Sequence, residues 1–160
     1  MKLDTYAQKA AETAEPRAYD QEYLLPGLLG EVGELFAEFA KAHWHETDRS
    51  STIVDEYGDV AWLTAILLST YGIGDSEVES LVHRYRSMPD TDTALDFILS
   101  RAAAVYSSQE PQRPVRAAML WDALEQNAEV VTGVSWEQVL TRNTEKLAER
   151  AAAGELKTHA

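Results

Sequence analysis

The sequence predicts an all-α helical bundle, folded as one domain over residues 1–160. Three observations support this fold class. Apolar residues recur every three or four positions along most of the chain, as they do on the buried face of a helix. Residues typical of helix N-caps precede these segments, and glycine or proline follows them. The hydrophobic content of 45% is sufficient for a core without a disulfide or a structural metal.

The first two predicted helices are separated by a loop. The first covers about Lys2–Ala14 and ends before Pro16, because the residue before a proline disfavours helical backbone. The second begins near Leu25, with Pro26 in its first turn, where a missing N–H removes no helical hydrogen bond. Its apolar stripe ends at about Trp44–His45, ahead of a polar segment.

Two further helices are predicted from their N-terminal signals. Thr52 with Asp55 has the form of a capping box. In such a box, the side chain of each residue accepts a hydrogen bond from the backbone N–H of the other. The third helix extends from there to the turn at Gly72. Ser76 with Glu79 has the same form and predicts a short fourth helix.

Three more helices follow a chain break predicted at Met88–Asp90. Proline fits the first turn of a helix, and a serine or threonine three residues before an acid or amide fits a cap. On these signals the fifth, sixth and seventh helices begin at Thr93 with Asp96, at Pro114, and at Ser135 with Gln138.

The composition excludes several classes of function. The formal net charge is −13, which argues against binding to nucleic-acid polymers or to anionic membranes, because both need clustered basic residues. The longest apolar run, about residues 60–71, is shorter than the ~20 residues that span a bilayer. The chain has no cysteine and its start lacks an apolar signal-peptide core. We therefore expect a cytoplasmic protein.

Four carboxylates form two pairs at helical spacing, Glu31 with Glu34 and Glu56 with Asp59. On a helical wheel of about 100° per residue, Glu56 and Asp59 lie inside the apolar stripe, whereas the first pair and Glu38 lie at the border of theirs. Burial of an ionised carboxylate is unfavourable unless the group is paired or bound to metal. Adjacent antiparallel helices would bring these faces together, which predicts a Mg²⁺ or Mn²⁺ site.

The last predicted helix carries three polar residues on its core-facing side, namely Asn143, Lys146 and Arg150. We expect Asn143 and Lys146 to lie in the acidic pocket, where an amide and a cation suit a phosphate ligand that arrives with magnesium. Arg150 lies at the helix end, and its alternative role is to pack its stem while the charged head remains in water.

These residues resemble the MazG-like nucleotide pyrophosphohydrolases of the all-α NTP pyrophosphatase superfamily. The family pattern joins E-x-x-E, a spacer and E-x-x-D to a later N-x-x-K-L. The matching residues here are Glu31, Glu34, Glu56, Asp59, Asn143, Lys146 and Leu147. The resemblance covers about residues 23–74 and 133–155.

The resemblance implies hydrolysis of a nucleoside triphosphate to the monophosphate and pyrophosphate by a homodimer. The two acidic pairs would carry Mg²⁺, with Mn²⁺ as an alternative, and Glu34 or Glu38 would act as base toward water. The substrate contacts implied are Asn143, Lys146 and Arg150 at the phosphates, and Trp44, Trp62 or Tyr23 at the base.

One segment, about residues 75–132, departs from the compact family pattern, in which the closing helix directly follows the third. Up to three extra helices intervene here. Two segments are candidates for the closing helix, and both follow a glycine with an aliphatic residue, Gly72-Ile73 and Gly133-Val134. Only the second has Asn and Lys in phase. We therefore expect a four-helix MazG-like core with the extra helices inserted before the C-terminal helix.

Three alternatives to this function remain open. The first alternative is action on another nucleotide, as a dUTPase-like or a phosphoribosyl-ATP pyrophosphohydrolase. A catalytically silent interaction bundle is the second alternative. The third is a di-iron bundle, but such sites use Glu-x-x-His pairs, and the residue three positions before each histidine here is not glutamate.

Overall fold

The computed structural model describes residues 1–85 and 93–155. This part of the chain contains seven α-helices and one 3₁₀ turn and no β-strand, so the predicted all-α fold is confirmed. The helices are α1 (Leu3–Thr13), α2 (Gln21–His45), α3 (Ser50–Thr70), α4 (Asp75–Tyr85), α5 (Ala94–Ser107), α6 (Arg113–Thr132) and α7 (Trp136–Ala152), with the 3₁₀ turn Pro16–Tyr19 between α1 and α2.

Helix α3 is the centre of the bundle. It packs against α1, α2, α6 and α7, and its buried residues extend from Ile53 to Leu68 on nearly every side. The hydroxyl of Tyr57 donates to the carbonyl of Leu124 at 2.7 Å and ties α3 to α6. Because other helices surround α3, the acidic side chains of α3 lie next to those helices.

The segment of residues 75–132 is part of the bundle. Helix α6 packs against α3, α4, α5 and α7, and α5 also packs against α2. Ile98 of α5 and Leu120 of α6 belong to the same buried cluster as Leu28 and Leu35 of α2. Within the two described ranges, no helix is both long enough and apolar enough to cross a membrane.

Helix α2 begins four residues earlier than the sequence pattern predicted. Asp20 is its N-cap, and the Asp20 carboxylate accepts the N–H of Glu22 at 2.9 Å. Pro26 therefore lies inside the helix and not in its first turn. The reason is that a capped start outweighs the single backbone hydrogen bond that an internal proline removes.

The capping box predicted at Thr52 is wrong. Helix α3 begins at Ser50, whose backbone N–H donates to Asp48 at 2.9 Å. Asp55 instead forms an ion pair with Arg142 of α7, with contacts of 2.8 and 2.9 Å. A cation on a neighbouring helix has replaced the local backbone partner.

The predicted start of α4 is also displaced. The helix begins at Asp75, so Ser76 lies in its first turn and is not its cap. Glu77, rather than Glu79, reaches back to accept the N–H of Gly74 at 3.0 Å. Glycine fits the position before a helix, so the cap is at Gly74, two residues before the predicted cap at Ser76.

The other predicted helix starts are confirmed. Thr93 accepts the backbone N–H of Asp96 at 3.1 Å, and Ser135 with Gln138 forms a reciprocal capping box. Proline is in the first turn of α6, as predicted. The chain break predicted at residues 88–90 lies outside the described residues.

Both candidates for the closing helix follow a glycine in left-handed backbone, with φ of 65° at Gly72 and 77° at Gly133. Such backbone strains residues that have a Cβ, which explains glycine at both turns. The two helices differ in their packing, because α4 lies against α6 whereas α7 lies against α3. Only α7 can therefore meet the carboxylates of α3.

Candidate functional site

Three of the four predicted metal ligands meet between α2 and α3. Glu31 comes from α2, and Glu56 and Asp59 come from one face of α3, since residues three apart on a helix are neighbours. One oxygen of each carboxylate lies within 4.8 Å of the others, and all three residues are half-buried. This group, the carboxylate cluster, has the oxygen ligands that Mg²⁺ and Mn²⁺ prefer.

Glu34 lies beside the carboxylate cluster rather than within it. The residue is exposed, and among the described residues the group of acids in mutual reach contains the other three. The charge of Glu34 still acts on the cluster, because it raises the pKa of both Glu31 and Glu56. Its role as a metal ligand stays a prediction.

Burial and mutual repulsion raise the pKa of two members of the cluster, Glu31 and Glu56. Burial, followed by the charges of Asp59, Glu34 and Glu56, raises the pKa of Glu31 to about 7, while Lys146 opposes the shift. Burial and then Asp59 also raise the pKa of Glu56. A divalent cation favours ionised carboxylates and would reverse these shifts.

We expect the metal-free protein to lose stability as the pH rises from about 4.5 to about 7. In this range the folded state keeps a proton on Glu31, whose pKa is raised from 4.5 to about 7, while the unfolded chain has released it. Stability falls with pH wherever the folded state binds more protons. Saturating Mg²⁺ should flatten this slope, because it binds the ionised form. Thermal melting across this range, with and without Mg²⁺, measures both slopes.

Glu31→Gln is the control for this pH dependence. The variant lacks the group that titrates, so its melting temperature without metal should vary less between about pH 5 and pH 7 than that of the wild type. An equal slope in the two proteins would assign the effect to another group and contradict the expectation.

Two residues of α7 hold Asp59. Lys146 Nζ lies 2.6 and 2.7 Å from its two carboxylate oxygens, and Asn143 Nδ2 lies 2.8 Å from Oδ1. The prediction that Asn143 and Lys146 reach the acidic pocket is confirmed. The predicted contact between Asn143 and substrate is corrected, because the residue is 1% exposed and both ends of its amide bind protein groups.

Glu38 is engaged in ion pairs and is not part of the cluster. It is 3% exposed, and its two oxygens contact Lys41 and Arg49, the latter at 2.6 Å. The hydrogen bond from Lys41, reinforced by Arg49 and opposed by burial, lowers the pKa of Glu38. A carboxylate with a lowered pKa and two cationic partners is a weak proton acceptor. The two ion pairs therefore disfavour the predicted role of Glu38 as a base.

A cavity of about 760 Å³ lies beside the carboxylate cluster, and Glu31 and Asp59 form part of its wall. Its volume is within the range of small-molecule sites, about 300–1,000 Å³. The rest of the wall is mixed and includes aromatic, basic and acidic side chains, namely Tyr23, Trp62, Arg17, Arg150, Glu15, Asp20 and Glu22. Arg150 thus lies in the same wall as Glu31 and Asp59, and its contact with a substrate stays a prediction.

The aromatic residues predicted for the site divide into two groups. Tyr23 and Trp62 line the cavity, and the buried indole Nε1 of Trp62 has no hydrogen-bond partner among the described residues. Trp44 does not line it and is 82% exposed near the end of α2. Trp44 therefore lies outside this cavity wall, and its predicted contact with a nucleobase stays a prediction.

Sequence reasoning missed Tyr6 and Gly58. The hydroxyl of Tyr6 donates to Asn143 Oδ1 at 2.8 Å. A Cβ on Gly58 would lie 2.9 Å from the Cβ of Asn143, so glycine is what allows α7 to approach α3 here. A glycine inside an apolar helix is a signal of close packing, and it directly precedes Asp59 in the sequence.

Fold and site together define an all-helical protein whose carboxylate cluster opens into a cavity suited to a small molecule. Comparison with known protein families, curated proteins and solved structures found no match to this chain.

Proposed function

We propose that the chain is a Mg²⁺-dependent, MazG-like nucleoside triphosphate pyrophosphohydrolase, which converts a ribo- or deoxyribonucleotide to its monophosphate and pyrophosphate. The observation that carries the proposal is the carboxylate cluster, with oxygens within 4.8 Å of one another, at the wall of a nucleotide-sized cavity. Magnesium held by Glu31, Glu56 and Asp59 would neutralise phosphate oxygens and lower the pKa of a bound water.

Lys146 is the phosphate-binding group in this proposal. Its ammonium bonds both oxygens of Asp59 when no ligand is bound, and its side chain is 16% exposed. When the Asp59 carboxylate binds a cation, its attraction for the ammonium weakens. Lys146 then turns to a phosphate oxygen, exchanging one anionic partner for another without leaving its charge unpaired.

Glu34 is the proton acceptor in this proposal. It is exposed and close enough to the cluster to raise the pKa of Glu31 and Glu56, whereas Glu38 is committed to Lys41 and Arg49. The water oxygen bonds to the α-phosphorus as the bond to the α–β bridging oxygen breaks. Pyrophosphate leaves with that electron pair, and the proton of the water passes to Glu34 and then to solvent.

Tyr23 and Trp62 are proposed to recognise the nucleobase. Both line the cavity that also contains Glu31 and Asp59, and stacking on aromatic rings contributes about 1–3 kcal/mol per base. Arg150, in the same wall, is assigned to the terminal phosphates.

The assembly and the compartment follow from the same proposal. The resemblance to the MazG-like enzymes supports a homodimer, which light scattering after gel filtration measures directly. A chain without cysteine suits the reducing cytoplasm, where nucleoside triphosphates are available as substrates.

The proposal is tested by measuring pyrophosphate release from a panel of ribo- and deoxyribonucleoside triphosphates. The panel includes dUTP and phosphoribosyl-ATP, so that it separates the two nearest alternative activities. We expect turnover of at least one nucleotide with Mg²⁺ or Mn²⁺ and none after chelation by EDTA. Turnover that persists in EDTA would refute the metal assignment.

Absence of pyrophosphate release from every nucleotide of the panel would also be informative. If the folded protein binds Mg²⁺ but cleaves no member of the panel, the enzyme proposal fails and the silent interaction bundle replaces it. Phosphate release in place of pyrophosphate would indicate cleavage at the terminal anhydride and would refute the proposed position of attack.

A further inference from the structure

Tyr6 connects helix α1 to the carboxylate cluster through Asn143. The Tyr6 hydroxyl donates to Asn143 Oδ1 at 2.8 Å, and Asn143 Nδ2 donates to Asp59 Oδ1 at 2.8 Å. We propose that Tyr6 is a positioning residue, which orients the Asn143 amide so that Asp59 is held ready for a divalent cation. This inference rests on the proposed metal site but not on the identity of the substrate.

The chemistry of the three groups allows only one direction for this chain of hydrogen bonds. An ionised carboxylate only accepts hydrogen bonds, so the NH₂ of Asn143 has to face Asp59. The amide oxygen then faces Tyr6, whose hydroxyl has to donate. Burial, followed by the charge of Asp59, raises the pKa of Tyr6 well above its usual value, so the hydroxyl keeps its proton.

The hydrogen bonds from Tyr6 to Asn143 and from Asn143 to Asp59, called the relay, determine which oxygen of Asp59 remains available to a cation. Oδ1 accepts from both Asn143 and Lys146, whereas the single donor to Oδ2 within residues 1–85 and 93–155 is Lys146. An ionised carboxylate has about two lone-pair sites per oxygen. Both sites of Oδ1 are therefore filled when no ligand is bound. After Lys146 turns to a phosphate, Oδ1 still accepts from Asn143, so Oδ2 is the more open oxygen for the cation. If the amide were free to rotate, this difference between the two oxygens would be lost.

Packing fixes both members of the relay. Tyr6 is 0% and Asn143 1% exposed, and the Tyr6 ring lies 5.8 Å from the ring of Trp121, centroid to centroid. Gly58 leaves room for Asn143, since a Cβ there would lie 3.0 Å from Nδ2. Buried groups in one hydrogen-bonded orientation act as a rigid support rather than as ligands.

The test is calorimetric titration of Mn²⁺ into the full chain and its Tyr6→Phe variant. Phenylalanine keeps the ring and removes only the donor, so we expect the protein to fold and the Kd for Mn²⁺ to rise roughly 10-fold or more, as for other partners that orient metal ligands. Tyr57→Phe is the matched control. Tyr57 is also 0% exposed, and its hydroxyl donates to the carbonyl of Leu124. Its Kd should stay within about twofold of wild type.

Asn143→Ala supplies a second route to the same answer. If Tyr6 acts through Asn143, the double variant of Tyr6→Phe and Asn143→Ala should bind Mn²⁺ as weakly as Asn143→Ala alone, whereas independent residues would show additive losses. Wild-type affinity in Tyr6→Phe, an equal loss in Tyr57→Phe, or additive losses would each overturn the proposal. Wild-type protein that binds Mn²⁺ but cleaves no nucleotide would end the enzyme proposal and leave this inference standing.

Discussion

Replacing Glu56 by glutamine is expected to lower Mg²⁺-dependent pyrophosphate release at least about 100-fold, because groups that merely orient metal ligands already contribute about 10–100-fold. The metal-free variant should at the same time melt at a higher temperature than the wild type. Glutamine removes one of the like charges that raise the pKa of Glu31, and a charge retained at the expense of stability indicates function. Turnover at saturating Mg²⁺ and thermal melting in EDTA measure the two effects.

Asp55→Asn is the matched control for Glu56→Gln. Asp55 is the preceding residue of α3, but its carboxylate contacts Arg142 at 2.8 Å and is not part of the cluster. We expect this variant to keep its turnover and to show little change in melting temperature, because an exposed ion pair contributes about 0–1 kcal/mol. Equal turnover losses in the two variants would show that the carboxylate cluster has no special role.

Gly58→Ala is expected to destabilise the protein by about 1–3 kcal/mol, the usual effect of an overpacked site, and to weaken Mn²⁺ binding. Alanine normally favours a helix by about 1 kcal/mol over glycine. A loss of stability on Gly58→Ala would therefore indicate that the close approach of α7 outweighs this preference. The new Cβ would lie 2.9 Å from the Cβ of Asn143. Helix α7 then has to move, which breaks the bond from Asn143 to Asp59. Urea unfolding and Mn²⁺ titration measure the two losses.

Gly33→Ala in α2 is the reference substitution. No atom of a neighbouring group lies within 4 Å of a Cβ at that position, and the residue is exposed. Only the helix propensity changes, so we expect a gain of about 0.5–1 kcal/mol. A similar gain in Gly58→Ala would mean that α7 adapts easily and that the close approach does not support the site.

The sequence alone was sufficient for the fold class and for three of the four acids predicted at the site. Helical periodicity and the caps at Thr93 and Ser135 depend on residues within a few positions of one another, so they can be read without tertiary contacts. The unexpected position of Glu56 and Asp59 inside an apolar stripe also depends only on helical geometry. The structure confirms that both are half-buried.

Local signals failed where a distant residue provided a stronger partner. Asp55 was interpreted as part of a cap, but it pairs with Arg142, 87 positions further along the chain. Glu38 was predicted as a candidate base, but it pairs with Arg49, the residue directly before α3. An ion pair on a neighbouring element is not visible in the spacing of residues along one helix.

Only the tertiary structure decided which residues support the carboxylate cluster and where the cavity lies. Tyr6 and Asn143 are 137 positions apart and meet because α1 and α7 pack against each other and both against α3. The sequence determined that acids would lie on the buried face of α3, since that follows from the helical repeat. The packing of three helices determined that Asp59 would be held by Asn143 and Lys146, since hydrogen bonds of 2.6–2.8 Å require positions that no single helix specifies.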